Sequence, residues 1–286
     1  MDVCNINDIK ALLARHGFHF SKSMGQNFLI ESWVPEDIAA SSRADKSCCV
    51  LEIGPGIGPL TGQLSDRAGK VVAVELDRTL LPILSETLGR RDNVEIVPGD
   101  VMKLDIGELV ATKFDGLTPV ACANLPYNIT TPVLTKLIES KLFTSITVMI
   151  QREVALRICA APGTGDYGAF SVFCQYHTKP ELLFDVPPTC FLPAPKVTSS
   201  VLRLVPREKP TEVEDEEFFF RVVRAAFAQR RKTLHNSLTS ALGQPFSREM
   251  IAEAIAACGL RPDVRGERLG IPQFAALANS LAAMTK

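Results

Sequence analysis

Short apolar runs, each stopped by a residue able to bind something, constrain this chain more than any other feature. Cys48-Cys49-Val50-Leu51-Glu52-Ile53 is the first, and Gly54-Pro55-Gly56-Ile57-Gly58 follows it. The run 71–74 ends at Glu75, 93–97 at Gly99-Asp100, 119–123 at Asn124 and 146–150 at Gln151. Helical spacing fills the intervals at 79–88, 132–139 and 153–160, with another helix from Leu60 and one over 7–15 ahead of the first run. Apolar strands without alternation are buried on both faces, and their alternation with helices predicts a mostly parallel sheet covered on both sides. Ligands of such sheets bind at the carboxyl ends of the strands, where the polar residues fall.

A polar connector, 21–27, joins the first helix to Phe28-Leu29-Ile30. Beyond Leu182 the texture changes. Val186-Pro187-Pro188 and Phe191-Leu192-Pro193-Ala194-Pro195 are proline-rich, 197–205 alternates like a strand, and an acidic linker at 212–217 opens a purely helical tail. The chain therefore divides into an α/β domain, 1–207, and a small all-α domain, 208–286.

Composition serves mainly to exclude. With 46% hydrophobic and 22% charged residues the chain is an ordinary globular one. No apolar run approaches the roughly 20 residues of a membrane span, and the N-terminus has no apolar centre of a secretory signal. Eight scattered cysteines without Cys-x-x-Cys or Cys/His ligand spacing predict free thiols in a reducing cytosol and no zinc. The four histidines form no H-E-x-x-H pattern, and neither a G-x-S-x-G elbow nor a P-loop is present. A net charge of -1 leaves room for a local basic patch but not for a globally basic surface.

The glycine turn lets the backbone bend sharply and come close to a ligand. A dinucleotide fingerprint would need its third glycine where Pro59 stands, which disfavours nicotinamide. Glu75 is placed to accept ribose hydroxyls, and Asp100 an adenine amino group. Taken singly, each could equally be a tight turn, a solvated carboxylate or a turn-forming Asp. Four successive strand ends together describe a pocket for an adenosine whose sulfur substituent lies near the glycines.

Asn124-Leu125-Pro126-Tyr127 is the sharpest signal. An exocyclic amino group on a base is a poor nucleophile because its lone pair is delocalised into the ring. Two acceptors holding its N–H bonds, the Asn124 side chain and a carbonyl of Leu125 or Pro126, favour the geometry that aims the lone pair at an electrophile. Proline stiffens the loop and Tyr127 offers a stacking face. With a sulfonium methyl as electrophile, alignment matters more than a strong base.

In these segments the chain resembles the S-adenosylmethionine-dependent ribosomal RNA adenine N6-dimethyltransferases, most of all their bacterial small-subunit (16S) branch. The resemblance also runs through Gly25-Gln26-Asn27-Phe28-Leu29, Gln151-Arg152-Glu153-Val154, Pro193-Ala194-Pro195-Lys196-Val197 and Arg230-Arg231-Lys232-Thr233-Leu234. It implies a Rossmann-like class I methyltransferase sheet. It implies S-adenosyl-L-methionine bound at Gln26, Asn27, Leu29, Gly54, Gly56, Glu75, Leu76, Asp100, Val101 and Asn124. The target adenine is received by Asn124, Leu125, Pro126 and Tyr127, with Phe191 as a second aromatic wall. The implied substrate is a pair of adjacent adenosines in a hairpin loop near the 3′ end of 16S rRNA, each receiving two methyl groups. The implied partner is an immature 30S subunit, met by a cytoplasmic, monomeric enzyme that uses no metal and no membrane and also takes part in subunit assembly.

Phosphates need cations. The stretch 221–235 holds Arg221, Arg224, Arg230, Arg231 and Lys232 with no acid, and Arg152 joins them as a candidate RNA contact beside Gln151 and Arg157. The competing reading is a solvated helix face. Phe218-Phe219-Phe220 reads as helix core. Three other functions stay open: a macrolide-resistance type 23S rRNA dimethyltransferase, whose relatives tend to be strongly basic; an assembly factor with a vestigial pocket; and a nicotinamide dehydrogenase.

Overall fold

Each of the apolar runs forms a strand in the computed structural model, which describes residues 3–20 and 25–285; positions 21–24 of the polar connector lie outside the described residues. Helix α1 (Ile6–Arg15) is capped by Asn5, whose side chain accepts the N–H groups of Asn7 and Asp8. There follow β1 (Phe28–Leu29), α2 (Trp33–Ser41), β2 (Cys48–Ile53), α3 (Pro59–Arg67), β3 (Lys70–Glu75) and α4 (Leu81–Leu88). Next come β4 (Val94–Pro98), α5 (Ile106–Lys113), β5 (Thr118–Asn124), α6 (Thr130–Ser140), β6 (Ile146–Gln151), α7 (Arg152–Cys159) and α8 (Ala169–His177). The rest are β7 (Thr178–Val186), β8 (Phe191–Leu192), β9 (Ser199–Pro206), α9 (Glu216–Phe227), α10 (Leu234–Leu242), α11 (Arg248–Ala257) and α12 (Ile271–Ala283).

Seven strands make one sheet in the order β4-β3-β2-β5-β6-β9-β7. The strands β4, β3, β2, β5 and β6 run parallel, and β9 returns antiparallel to β6. All six residues of β2 are buried. On one face Val50, Val71 and Val120 pack with Val34 and Ile38 of α2 and Leu60 and Leu64 of α3. Their neighbours Cys49, Leu51, Val72 and Ala121 are equally buried, so the opposite face is covered as well. By contrast β4, at the sheet edge, is only half-buried along most of its length. The order runs outward from β2 to β3 and β4 on one side and to β5 and β6 on the other. A crevice therefore opens between the carboxyl ends of β2 and β5, the switch point at which such sheets bind ligands.

The chain forms two compact units, residues 1–155 with 180–206 and residues 156–179 with 207–286. Sequence alone divides it once, after 207, but 156–179 clusters with the helical tail. The reason is aromatic: Tyr167, Val172 and Tyr176 share a core with Phe219, Leu238, Ile251 and Phe274. In that core Phe219 and Phe220 are buried, as helix-core residues should be. All eight cysteines are unbridged. No helix among the described residues is long and apolar enough to cross a membrane.

Candidate active site

Three left-handed glycines turn the chain out of β2. Gly54, Gly56 and Gly58 have φ of +69°, +62° and +94°, values that L side chains rarely adopt. Gly54 N–H donates to the Val74 carbonyl at 3.0 Å, pinning the turn to β3, and Pro59 opens α3 directly behind it. A Cβ on Gly56 would lie 3.3 Å from the Phe28 ring. The backbone there is bare because β1 lies against it.

Glu75, the last residue of β3, is 6% exposed. Its Oε1 accepts the Asp77 N–H at 2.7 Å and its Oε2 the Gly56 N–H at 3.4 Å. Burial raises this carboxyl above its ordinary range against the pull of those N–H groups. Beside it Glu52 is 1% exposed and its Oε2 has no partner among the described residues. Burial pushes the Glu52 carboxyl up to about 8; the Thr61 hydroxyl acts against the shift and the Glu75 charge adds to it. Asp100 takes the Met102 N–H on Oδ1 at 2.9 Å.

The strap 25–29 crosses the mouth of these strands. Gln26 Nε2 donates to Asp77 Oδ2 at 2.7 Å, and Asn27 Nδ2 to the Gly25 carbonyl at 3.1 Å. Burial opposes ionisation of Asp77, but hydrogen bonds from Thr79 and Gln26 prevail and hold its carboxyl below the usual range. The strap then becomes β1, which pairs antiparallel with β8 and sets Leu29 opposite Phe191.

Across the crevice, β5 ends at Asn124. Leu125 N–H donates to the Met149 carbonyl at 3.1 Å, so the loop leaves the sheet only after Leu125. The Pro126 carbonyl already accepts the Ile129 N–H and the Thr130 hydroxyl, both at 3.2 Å. The Leu125 carbonyl and the Asn124 side chain have no partner among the described residues. Tyr127 is half-buried, and its hydroxyl lies 2.7 Å from Ser199 Oγ. A Cβ on Gly54 would come within 4.0 Å of Pro126 Cδ, so the glycine turn and this loop face each other.

One cleft of about 1180 Å³, counted out to its mouth, brings these parts together. Gln26, Asn27, Leu29, Gly54, Gly56, Glu75, Leu76, Asp100, Val101, Asn124, Leu125, Pro126, Tyr127 and Phe191 all line it. Leu76 is 55% exposed, whereas Phe191 is 3% exposed and forms part of the cleft floor. Sequence reasoning assigned no role to Glu52 or Asp77. Glu52 was hidden inside an apolar run, whereas Asp77, two residues after a strand-end carboxylate and two before a Thr, carried the mark of a cap. Chemically, the glycine turn, the buried carboxylate and Asp100 can hold a nucleoside, while the Asn124 side chain and the Leu125 carbonyl beside them can accept from an amino group.

The candidate RNA-contacting cations lie elsewhere, and half of them already have protein partners. Arg152 Nε donates to Asp185 Oδ2 at 2.9 Å. In the helical unit Arg221 donates to the Leu242 carbonyl at 2.8 Å, and Arg230 to the carbonyls of Gly165 and Tyr167. The stripe read from the sequence is thus partly a set of helix ties. Arg224, Arg231 and Lys232 are exposed, with no ion-pair partner among the described residues.

A mostly parallel sheet with β9 reversed against β6, a glycine turn and an Asn-Leu-Pro-Tyr loop at its switch point defines a Rossmann-like class I methyltransferase. The family model for ribosomal RNA adenine dimethylases matches residues 17–279, and the chain belongs to that family. Two curated relatives named ribosomal RNA small subunit methyltransferase A are similar to it. That of Bacillus cytotoxicus is 48% identical over 98% of this chain and 97% of its own. That of Alkaliphilus metalliredigens is 46% identical over 96% of each. Among solved structures, a dimethyladenosine transferase from Plasmodium falciparum superposes with a TM-score of 0.75 at 25% identity, covering 90% of this chain and 98% of that one. The 23S rRNA methyltransferase ErmE gives 0.68 at 26%, covering 90% and 100%.

Proposed function

We propose that this methyltransferase moves methyl groups from S-adenosyl-L-methionine to N6 of two adjacent adenosines in a hairpin loop near the 3′ end of 16S rRNA, dimethylating each. The relatives near half identity carry the small-subunit name, whereas the large-subunit enzyme is a more distant likeness. The near-neutral charge supports the same choice.

The donor half of the cleft fits the cofactor. Glu75 presents a buried carboxylate suited to ribose hydroxyls, and the turn at Gly54 and Gly56 leaves the backbone bare for the methionine end. Asp100, Val101 and Leu76 would take the adenine, and Gln26, Asn27 and Leu29 would cover the entrance. When bound, the cofactor supplies an electrophilic methyl on a positively charged sulfur.

The Asn124 side chain and the Leu125 carbonyl accept the two N–H bonds of the target amino group. Because the Pro126 carbonyl is already occupied, Leu125 is the backbone partner. The amino nitrogen then turns its lone pair toward the donor, and its proton leaves after transfer. Tyr127 stacks on the base, with Phe191 beneath. Placement and electrostatic alignment supply the acceleration. A base paired inside a helix cannot enter, so the target is unpaired or extruded.

The helical unit presents Arg224, Arg231 and Lys232 to rRNA in an immature 30S subunit, and Arg152 adds a contact from the sheet unit. The enzyme works as a cytoplasmic monomer. One observation carries the reading: two acceptors without a partner among the described residues sit at the end of β5, in the same cleft as the glycine turn. The test is reverse-transcription mapping of rRNA after incubation of unmethylated 30S and 50S subunits with the chain and labelled cofactor. Stops at two neighbouring adenosines of 16S rRNA are expected. Label in 23S rRNA alone, or none, overturns the proposal.

A further inference from the structure

Tyr127 is held at both ends. At the backbone, Pro126 sets the chain at φ -56° and ψ 133° before the single turn Tyr127–Ile129. At the far end the phenol meets Ser199 Oγ at 2.7 Å. Ser199 opens β9 and has no exposed surface, and its Cα partner across the ladder is Gln151, the end of β6. A hydroxyl that deep needs a protein partner, and Tyr127 provides it. The tyrosine itself is only half-buried and lines the cleft. The contact therefore fixes the ring more than it satisfies it.

The next residue is used in a parallel way. Consecutive strand residues point to opposite faces, and Ser200 Oγ donates to Asp185 Oδ1 at 2.5 Å while Arg152 Nε holds Asp185 Oδ2. The Arg152 N–H also donates to the Thr198 carbonyl at 3.0 Å. The first two residues of β9 thus orient an aromatic wall of the cleft on one side and a cation just after β6 on the other.

We propose that Ser199 is a positioning residue that anchors the far end of Tyr127 and so holds its ring where it stacks on the incoming base. The inference rests on the methyl-transfer reading above. Without the anchor the side chain swings about its Cα–Cβ bond, the base tilts, and its amino group leaves the line of transfer; cofactor and subunit are still bound. A small misalignment of this kind costs roughly 10- to 100-fold in rate.

The test compares Ser199→Ala, Ser199→Thr and Tyr127→Phe in the full chain. The chain has three tyrosines, so ring-labelled tyrosine gives a simple NMR spectrum in which Tyr127→Phe assigns the Tyr127 signal. That signal is expected to shift in Ser199→Ala and to return in Ser199→Thr. In methylation of 30S subunits, kcat of Ser199→Ala falls roughly 10- to 100-fold, while the KM for subunits and the calorimetric Kd for cofactor stay within about twofold. Tyr127→Phe loses a similar factor, the double variant loses no more than either, and Ser199→Thr recovers most of the rate. A Ser199→Ala enzyme with the parent kcat overturns the inference, as does a loss matched by weaker cofactor binding. If the unaltered chain methylates no RNA, the reading beneath it fails, and a Tyr127 signal that still answers to Ser199 tells the two failures apart.

Discussion

Glu52, one residue before the end of β2, and Glu75, the last residue of β3, are two buried carboxyls beside one cleft, and their environments separate them. Glu75 has two backbone N–H groups on it, while one Glu52 oxygen has no partner among the described residues. With its pKa raised from 4.5 to about 8, Glu52 keeps its proton in the folded chain at neutral pH and loses it on unfolding. Between those values folding takes up a proton, so this group makes the protein less stable as pH rises. Glu52→Gln, which mimics the protonated form, should therefore be more stable than the parent at pH 8, by on the order of a few kcal/mol, with the gain vanishing near pH 4.5. Urea unfolding across that range measures it; a gain that does not change with pH would contradict the assignment. At the same scale the loop shows why side-chain identity alone could not choose between two carbonyls: the competitors for Pro126, Ile129 and Thr130, become visible only once the loop is folded.

Among the elements, the glycine turn is sensitive to substitution. Gly58 has φ +94° and a Cβ there would meet Leu88 of α4 at 3.0 Å. Gly58→Ala should cost about 1–3 kcal/mol through backbone strain and overpacking, read as a lower denaturant midpoint. A neutral result would mean that Leu88 yields freely. The parallel strands were legible because strands buried on both faces are continuous apolar runs, and their ends were legible because polar residues stop them. What escaped notice has a physical reason in each case. β1 and β8 are two residues each, too short for any period. α2 contains Pro35, α5 contains Gly107, and α8 is apolar nearly all round, so none shows a clean amphipathic stripe. β7 carries Pro180 and alternating charges, which only an edge strand tolerates. The Tyr127–Ser199 contact spans 72 residues of sequence, and no local pattern announces it.

At the scale of the whole molecule, substrate capture and chemistry should separate by unit. The exposed cations Arg224, Arg231 and Lys232 belong to the helical unit, and the cleft to the sheet unit. Replacing all three with Ala should raise the KM for 30S subunits and flatten the slope of log affinity against log salt by roughly two, with kcat and cofactor affinity retained. An unchanged salt slope would assign the RNA contact to other groups. The central claim, that Asn124 holds the target amino group in line with the donor methyl, is tested most directly by single-turnover methylation of 30S subunits with Asn124→Ala. The account predicts a rate lowered by roughly 10²- to 10³-fold, with subunit and cofactor binding preserved. A variant that methylates at the parent rate would contradict it.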